Sequence, residues 1–287
     1  MKNRYEKIVL LAEKEQLKCV NPPIPKGYYY VEGKWYNGYV IERFSDNSQF
    51  VWIPVEILPE NGTRQEGTYF VKKAKQICDV KFGKRDFGQW KNKYNEFFEY
   101  FDPRTMDFIN QIQSVNKYGG FYISRYNISE GNVSKPYKLP LSIEYEEAEK
   151  MALQMERTKE VSSHLTFGAE YDSIIEWFIC SGARSIEEIE DSRGWGHSFS
   201  DEYEKGVLPT ATTGNWCTNN IYDFSGNVSE YTQERYKTFE NYTIRGGNWS
   251  NIDYNMDKSV AYRAMILNSV YYKARALTGF RVALCIK

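Results

Sequence analysis

The sequence predicts an α+β fold with small antiparallel sheets, two main helices and much irregular chain. Three observations carry this. Short Tyr-rich segments near residues 27–57 alternate in the manner of strands. Two stretches of good helix formers occupy the middle of the chain. The last 70 residues are rich in Gly, Asn and Tyr and end in "GFRVALCIK", which reads as one terminal strand.

Taken in order, the N-terminal segment 1–24 carries Ile8, Leu11 and Leu17 at the period of a short amphipathic helix. "NPPIPK" (21–26) is a stiff break, because Pro disfavours helix in itself and before it. "GYYYVEG", "KWYNGYVIERF" and "QFVWIPVEI" read as strands joined by Gly and Asn turns. Residues 25–287 form one domain, interrupted by a charged insertion at about 57–116 with a helical stretch from Pro103 to Val115. "GGFYISRYNIS" (119–129) reads as a further strand. The segment 142–157 predicts a helix with Ser142 as N-cap and Tyr145, Ala148 and Met151 or Leu153 inward. The segment 168–182 predicts a second, with Ile174, Trp177 and Phe178 inward and Gly182 as stop signal. Residues 183–220 read as a long polar loop region.

Composition narrows the function. The 37 basic and 38 acidic residues nearly cancel, so no electrostatic footprint for nucleic acid or an anionic membrane stands out. No apolar run approaches the roughly 20 residues of a membrane span, and no export signal is visible. The expected location is the cytoplasm or a phage virion. Tyr, at 24 residues, exceeds ordinary core use, and Tyr favours recognition surfaces. Cys19, Cys78, Cys180, Cys217 and Cys285 are odd in number and lack CxxC spacing, which suits isolated thiols in a reducing compartment.

Several phrases, in order, resemble the formylglycine-generating-enzyme (sulfatase-modifying factor) family. They are "FVWIPV" (50–55), "GGFYISRYNIS", "EEAEKMA", "LTFGAEYDSIIEW" (165–177), "IYDFSGNVSEYT" (221–232), "IRGGNWSN" (244–251), "AYRA" (261–264) and "TGFRVAL" (278–284). The resemblance implies the formylglycine-enzyme type of C-type lectin fold. Gly226, Gly246 and Gly247 would supply turn conformations closed to other residues. Arg281 would fork onto carbonyls or carboxylates in a polar core, with Trp249 and Phe280 as packing residues.

The family's oxidases hold copper through two cysteines just after the "GGS" phrase. Aligned on that phrase, this chain has Asn251 and Met256 there. Asn cannot replace a copper-binding thiolate, so no copper is expected. Iron chemistry needs a His-rich set, and only His164 and His197 are present, in unrelated contexts. No catalytic residues are assigned. The alternative remains an oxidase or related metal-dependent enzyme acting on a thiol-containing peptide. The resemblance also implies a structural calcium, with Asn227 and Glu230 as side-chain ligands and the Val228 carbonyl beside them. Asp223 and Glu230 otherwise admit two readings, a carboxylate pair or a structural turn beside a cation ligand.

Between Arg245 and Arg281, the residues outside the framework phrases include Trp249, Ser250, Asn251, Asp253, Tyr254, Asn255, Asp257, Ser259, Tyr262, Asn268, Ser269, Tyr271 and Tyr272. Tyr supplies contact area at low entropy cost, and short polar groups adapt their hydrogen bonds, as in antibody paratopes. The stretch resembles the variable region of diversity-generating retroelement proteins of phage and bacteria. That resemblance implies a non-catalytic protein binding a protein or glycan ligand, such as one on a cell surface. The plainer reading is a family loop that tolerates polar residues. The insertion and the N-terminal segment are candidate surfaces for homo-oligomer assembly.

Overall fold

The computed structural model describes residues 22–35, 37–55, 100–103, 105–198, 206–236, 242–250, 259–265 and 277–287. The predicted N-terminal helix falls almost wholly outside them, as do residues 56–99 of the expected insertion.

The described chain is mixed α+β, with four helices and small, mostly antiparallel sheets. The larger sheet has six strands in the order β1 (Tyr28–Glu32), β2 (Val40–Arg43), β3 (Gln49–Pro54), β5 (Gly120–Ser124), β13 (Val282–Ile286) and β6 (Val161–Leu165). All its pairings are antiparallel, with Trp52 opposite Tyr122 and Ala283 opposite His164. The second sheet runs β11 (Ala264–Met265), β10 (Tyr242–Arg245), β9 (Ser229–Tyr236) and β12 (Thr278–Phe280), and β4 (Tyr100–Phe101) also pairs with β9. Here β12 lies parallel to β9. A two-stranded ribbon joins β7 (Cys217–Thr218) and β8 (Ile221–Tyr222). The helices are α1 (Met106–Tyr118), α2 (Tyr145–Met155), α3 (Gly168–Cys180) and α4 (Ile186–Glu190).

The six-stranded sheet is buried on both faces, so its central strands are near-continuously apolar rather than alternating. Val51, Ile53, Phe121, Ile123 and Ala283 pack in one cluster with Ile174, Ile175, Trp177 and Phe178 of α3. Phe50, Trp52, Tyr122, Val282 and Leu284 pack in a second with Tyr145, Ala148, Ala152 and Met155 of α2. The pleat turns successive side chains to opposite faces, so each strand feeds both clusters. Tyr231, Ile244 and Phe280 join the second cluster and tie the two sheets together.

Several expectations hold. Ile174, Trp177 and Phe178 are buried, and the chain reverses at Gly182, whose φ is 70°. Others need correction. Helix α2 starts two residues later than expected. Its N-cap is Glu144 rather than Ser142, and its buried face is Tyr145, Ala148, Ala152 and Met155. The Leu141 N–H bonds the Ile128 carbonyl and Pro140 bridges to Ser129, which holds the approach extended. The loop region 183–220 contains α4, started by a reciprocal cap. Ser185 Oγ accepts from the Glu188 N–H and Glu188 accepts from the Ser185 N–H. The terminal "GFRVALCIK" is two strands in different sheets, divided at Arg281.

From Tyr100 onward the expected insertion is built into the fold. Strand β4 pairs with β9, Asp102 accepts from the Gly168 and Ala169 N–H groups at 2.8 and 2.9 Å, and Phe108 packs on Phe167. A carboxylate on these open donors caps helix α3.

Candidate functional site

Strand β9 is the axis of the C-terminal region. Its alternation sends Tyr231 to the apolar cluster and Glu230 and Glu234 to the other side, toward three arginines. Arg245 ends β10, Arg263 precedes β11, and Arg281 separates β12 from β13.

Arg245 and Arg263 share two carboxylates. Arg245 donates to Asp172 of α3 at 2.9 Å and to Glu234 of β9 at 3.2 Å. Arg263 donates to the other oxygens of Asp172 and Glu234 at 2.6 and 2.9 Å. The four form a closed, charge-neutral ring with side chains at most 5% exposed. The Arg245 guanidinium also lies 4.5 Å above the Tyr171 ring. Burial, the main influence, and the neighbouring Arg263 charge lower the Arg245 pKa, and the Asp172 carboxylate opposes them. Removing one member would strand a buried charge, at a cost of about 3–5 kcal/mol.

Arg281 donates to Glu230 at 2.6 Å, to the carbonyls of Ser124 and Arg125 at 3.1 Å, and to the Tyr222 carbonyl. Asn127 donates to the same Glu230 oxygen at 2.8 Å. Arg281 thus clamps both sheets at the point where the chain passes between them, as its reading as a structural fork expects.

Two turns lie beside the ring. Gly226 and Gly246 have φ of 75° and 86°, and the Gly226 N–H donates to the Gly246 carbonyl at 2.8 Å. A Cβ on Gly226 would sit 2.2 Å from the His197 carbonyl oxygen. Asn227 follows in the left-handed region, and its carbonyl accepts from the Trp249 N–H at 3.1 Å.

The calcium expectation does not fit these contacts. The Asn227 carboxamide is engaged at both ends by Leu208, accepting from its N–H at 2.9 Å and donating to its carbonyl at 3.0 Å. Glu230 is the counter-ion of Arg281, and the Val228 side chain is fully buried. An oxygen cage needs several free lone pairs converging on one point, whereas Asn227 and Glu230 point to separate partners. Among the described residues, no group of three or more His, Cys, Asp and Glu could hold a metal ion.

Of the candidate binding residues, Trp249, Ser250 and Tyr262 are described; Asn251, Asp253, Tyr254, Asn255, Asp257, Asn268, Ser269, Tyr271 and Tyr272 lie outside the described residues. Trp249 is partly buried, and its indole N–H makes no hydrogen bond among the described residues. Ser250 folds back on Asn248, with N–H and hydroxyl on Oδ1 at 3.0 and 2.8 Å. Tyr262 is half-buried, its N–H on the Ser259 carbonyl at 3.0 Å. Ser259, read from sequence with the polar surface, instead donates its hydroxyl to the Ile189 carbonyl at 2.8 Å. The ring itself was not anticipated from sequence. Its only signal was charged residues, Asp172, Glu234, Arg245 and Arg263, inside otherwise core-like segments.

Both histidines have polar partners. His164 pairs with Glu170 at 3.0 Å, and Gln111 donates to the same oxygen at 2.6 Å. His197 contacts the Gly206 carbonyl at 2.9 Å and lies against Trp216. Burial pushes the free thiol of Cys285 up to about 11, so it stays protonated at neutral pH. None of the described helices is long and apolar enough to cross a membrane. No protein-family model matches the chain, and no curated protein matches it either.

Proposed function

We propose that this chain is a non-catalytic recognition protein of the formylglycine-enzyme-type C-type lectin fold. It presents a Tyr-, Asn-, Ser- and Asp-rich surface from the span between Arg245 and Arg281 to a protein or glycan ligand. The observation that carries the reading is a contrast within that span. Its framework arginines Arg245, Arg263 and Arg281 are all buried and ion-paired, while the residues between them have the composition of a paratope. A rigid base under adaptable aromatic and polar residues is what tight recognition requires, because preorganisation lowers the entropy cost of binding.

The more specific form of the proposal is a variable protein of a diversity-generating retroelement. It is tested at the DNA level. A near-copy of the codons for 249–277, differing mainly at adenines and beside a reverse-transcriptase gene, is the expected finding. A locus with neither removes the retroelement form and leaves binding to be tested directly. Arrays of glycans and of cell-surface proteins, probed with the full chain, provide that test. Saturable binding weakened by Trp249→Ala supports the reading, and no binding to either array counts against it.

A further inference from the structure

The loop between β5 and α2 carries two of the more exposed large apolar side chains among the described residues. Tyr137 is 74% exposed and Leu139 is 59% exposed. Single exposed apolar side chains are ordinary on a protein surface. Here the backbone sets them apart. Pro136 and Tyr137 form a turn, and Tyr137 sits in the left-handed region at φ 60°. A turn with Pro first and a positive φ second normally takes Gly or Asn at the second place. An aromatic residue stays there only where surrounding contacts impose it.

Those contacts are present. The Tyr137 N–H donates to the Thr210 carbonyl at 2.8 Å, the Thr210 N–H to the Lys138 carbonyl at 2.9 Å, and the Thr210 hydroxyl to the Lys135 carbonyl at 2.8 Å. Thr210 is fully buried. Ala211 follows it, also left-handed at φ 58°, with its N–H on the buried Asp223 carboxylate at 2.9 Å. Pro136 and Pro140 restrict the chain on both sides, and Pro140 bridges to Ser129. The fold thus imposes a strained conformation on a residue whose side chain lies outside the core. Strain of this kind collects where a residue is held ready for a ligand. Between the two apolar residues stands Lys138, also exposed. Residues 131–141 hold two lysines and no carboxylate, on a chain whose charges nearly cancel overall. Lys135 has Glu42 as an electrostatic neighbour, which leaves Lys138 as the outward charge of the loop.

We propose that Tyr137, Lys138 and Leu139 form a preformed docking loop for an acidic segment of a partner protein. Tyr137 and Leu139 supply apolar contact, and Lys138 pairs with a carboxylate of the partner. Tyr is among the residues that dominate binding energy when seated in a pocket, and a rigid loop loses little entropy on binding. A phosphate backbone or an anionic bilayer is held by several cations together, which this short loop does not offer. The loop is a different segment from the Arg245–Arg281 span, and the proposal stands without the recognition reading of that span.

The test uses the full chain. A random peptide library displayed on phage is depleted on Tyr137→Asn and then selected on the native chain. Asn tolerates the left-handed region, so the substitution removes the ring and keeps the turn. The selected peptides are expected to combine Asp or Glu with apolar residues. Tyr137→Asn and Leu139→Ser are each expected to weaken their binding by about tenfold or more, and Lys138→Glu to reject them. The thermal midpoint of Tyr137→Asn is expected to match or exceed that of the native chain, because strain is relieved. A lowered midpoint makes the ring a structural element and overturns the proposal. So does a selection that yields no Tyr137-dependent peptide, or only peptides without acidic residues. Tyr137-dependent sedimentation with phosphatidylserine–phosphatidylcholine vesicles would assign the loop to a membrane, and Tyr137-dependent self-association would assign it to a second copy. Either result also overturns the proposal.

Discussion

At the residue scale, Asp223 shows how position overrides chemistry. It sits in the left-handed region at φ 53°, buried, with one carboxylate oxygen accepting from the Ala211 N–H at 2.9 Å and the other without a partner among the described residues. Burial, outweighing the attraction of Arg281, pushes its pKa up to about 6 from 3.8. The folded state therefore holds the proton more tightly than the unfolded chain. Stability contributed by this group is present below about pH 4 and is lost as pH rises toward 6, by up to about 3 kcal/mol. Asp223→Asn is expected to remove that slope while keeping an acceptor for Ala211, as urea unfolding between pH 4 and 7 would read. Gly226 is constrained differently. An added Cβ meets both an unfavourable positive φ and the His197 carbonyl. Gly226→Ala is expected to destabilise by at least about 2 kcal/mol, measured by the same unfolding.

At the element scale, helix α3 depends on a cap that comes from elsewhere in the chain, whereas α1 and α4 are capped by Thr105 and Ser185 just before them. Asp102 closes the N-terminus of α3, 66 residues away in sequence. Asp102→Ala is expected to cost about 1–2 kcal/mol and to raise amide exchange in the first turn of α3 before it affects β13. Helix α4 was legible in retrospect, because Ser185 and Glu188 stand at capping-box spacing in the sequence. Its five residues were too few to show a period. The split of the terminal strand was not legible. Thr278–Phe280 and Val282–Ile286 are both buried throughout, and nothing local distinguishes a strand that continues from one that changes sheets. The side chain of Arg281, bonded to Glu230 and three carbonyls from other elements, makes the division.

At the scale of the whole molecule, a doubly covered sheet explains why large aromatics are so numerous inside. Phe178 touches Trp177, Trp195 and Phe224 in the cluster between α3 and the sheet. Phe178→Ala is expected to cost about 3–5 kcal/mol, seen as a lower urea midpoint with the transition still cooperative. Because Asn227 and Glu230 are engaged by Leu208 and Arg281, chelation with EDTA is expected to leave the thermal midpoint unchanged. A chelator-induced drop together with bound calcium by elemental analysis would restore the cation reading.

The sequence by itself determined most of the strand segments and the longer helices, the turn glycines and the polar, aromatic composition between Arg245 and Arg281. These are local properties, written in periodicity, backbone freedom and side-chain chemistry. Only the tertiary structure decided which charges meet. Asp172, Glu234, Arg245 and Arg263 come from a helix, two strands and the approach to a third. Their pairing depends on how α3 crosses the second sheet, and residue spacing carries no trace of that. The same holds for Asn227 and Glu230. Their oxygen chemistry would suit a cation, and the neighbours supplied by folding commit them to Leu208 and Arg281 instead.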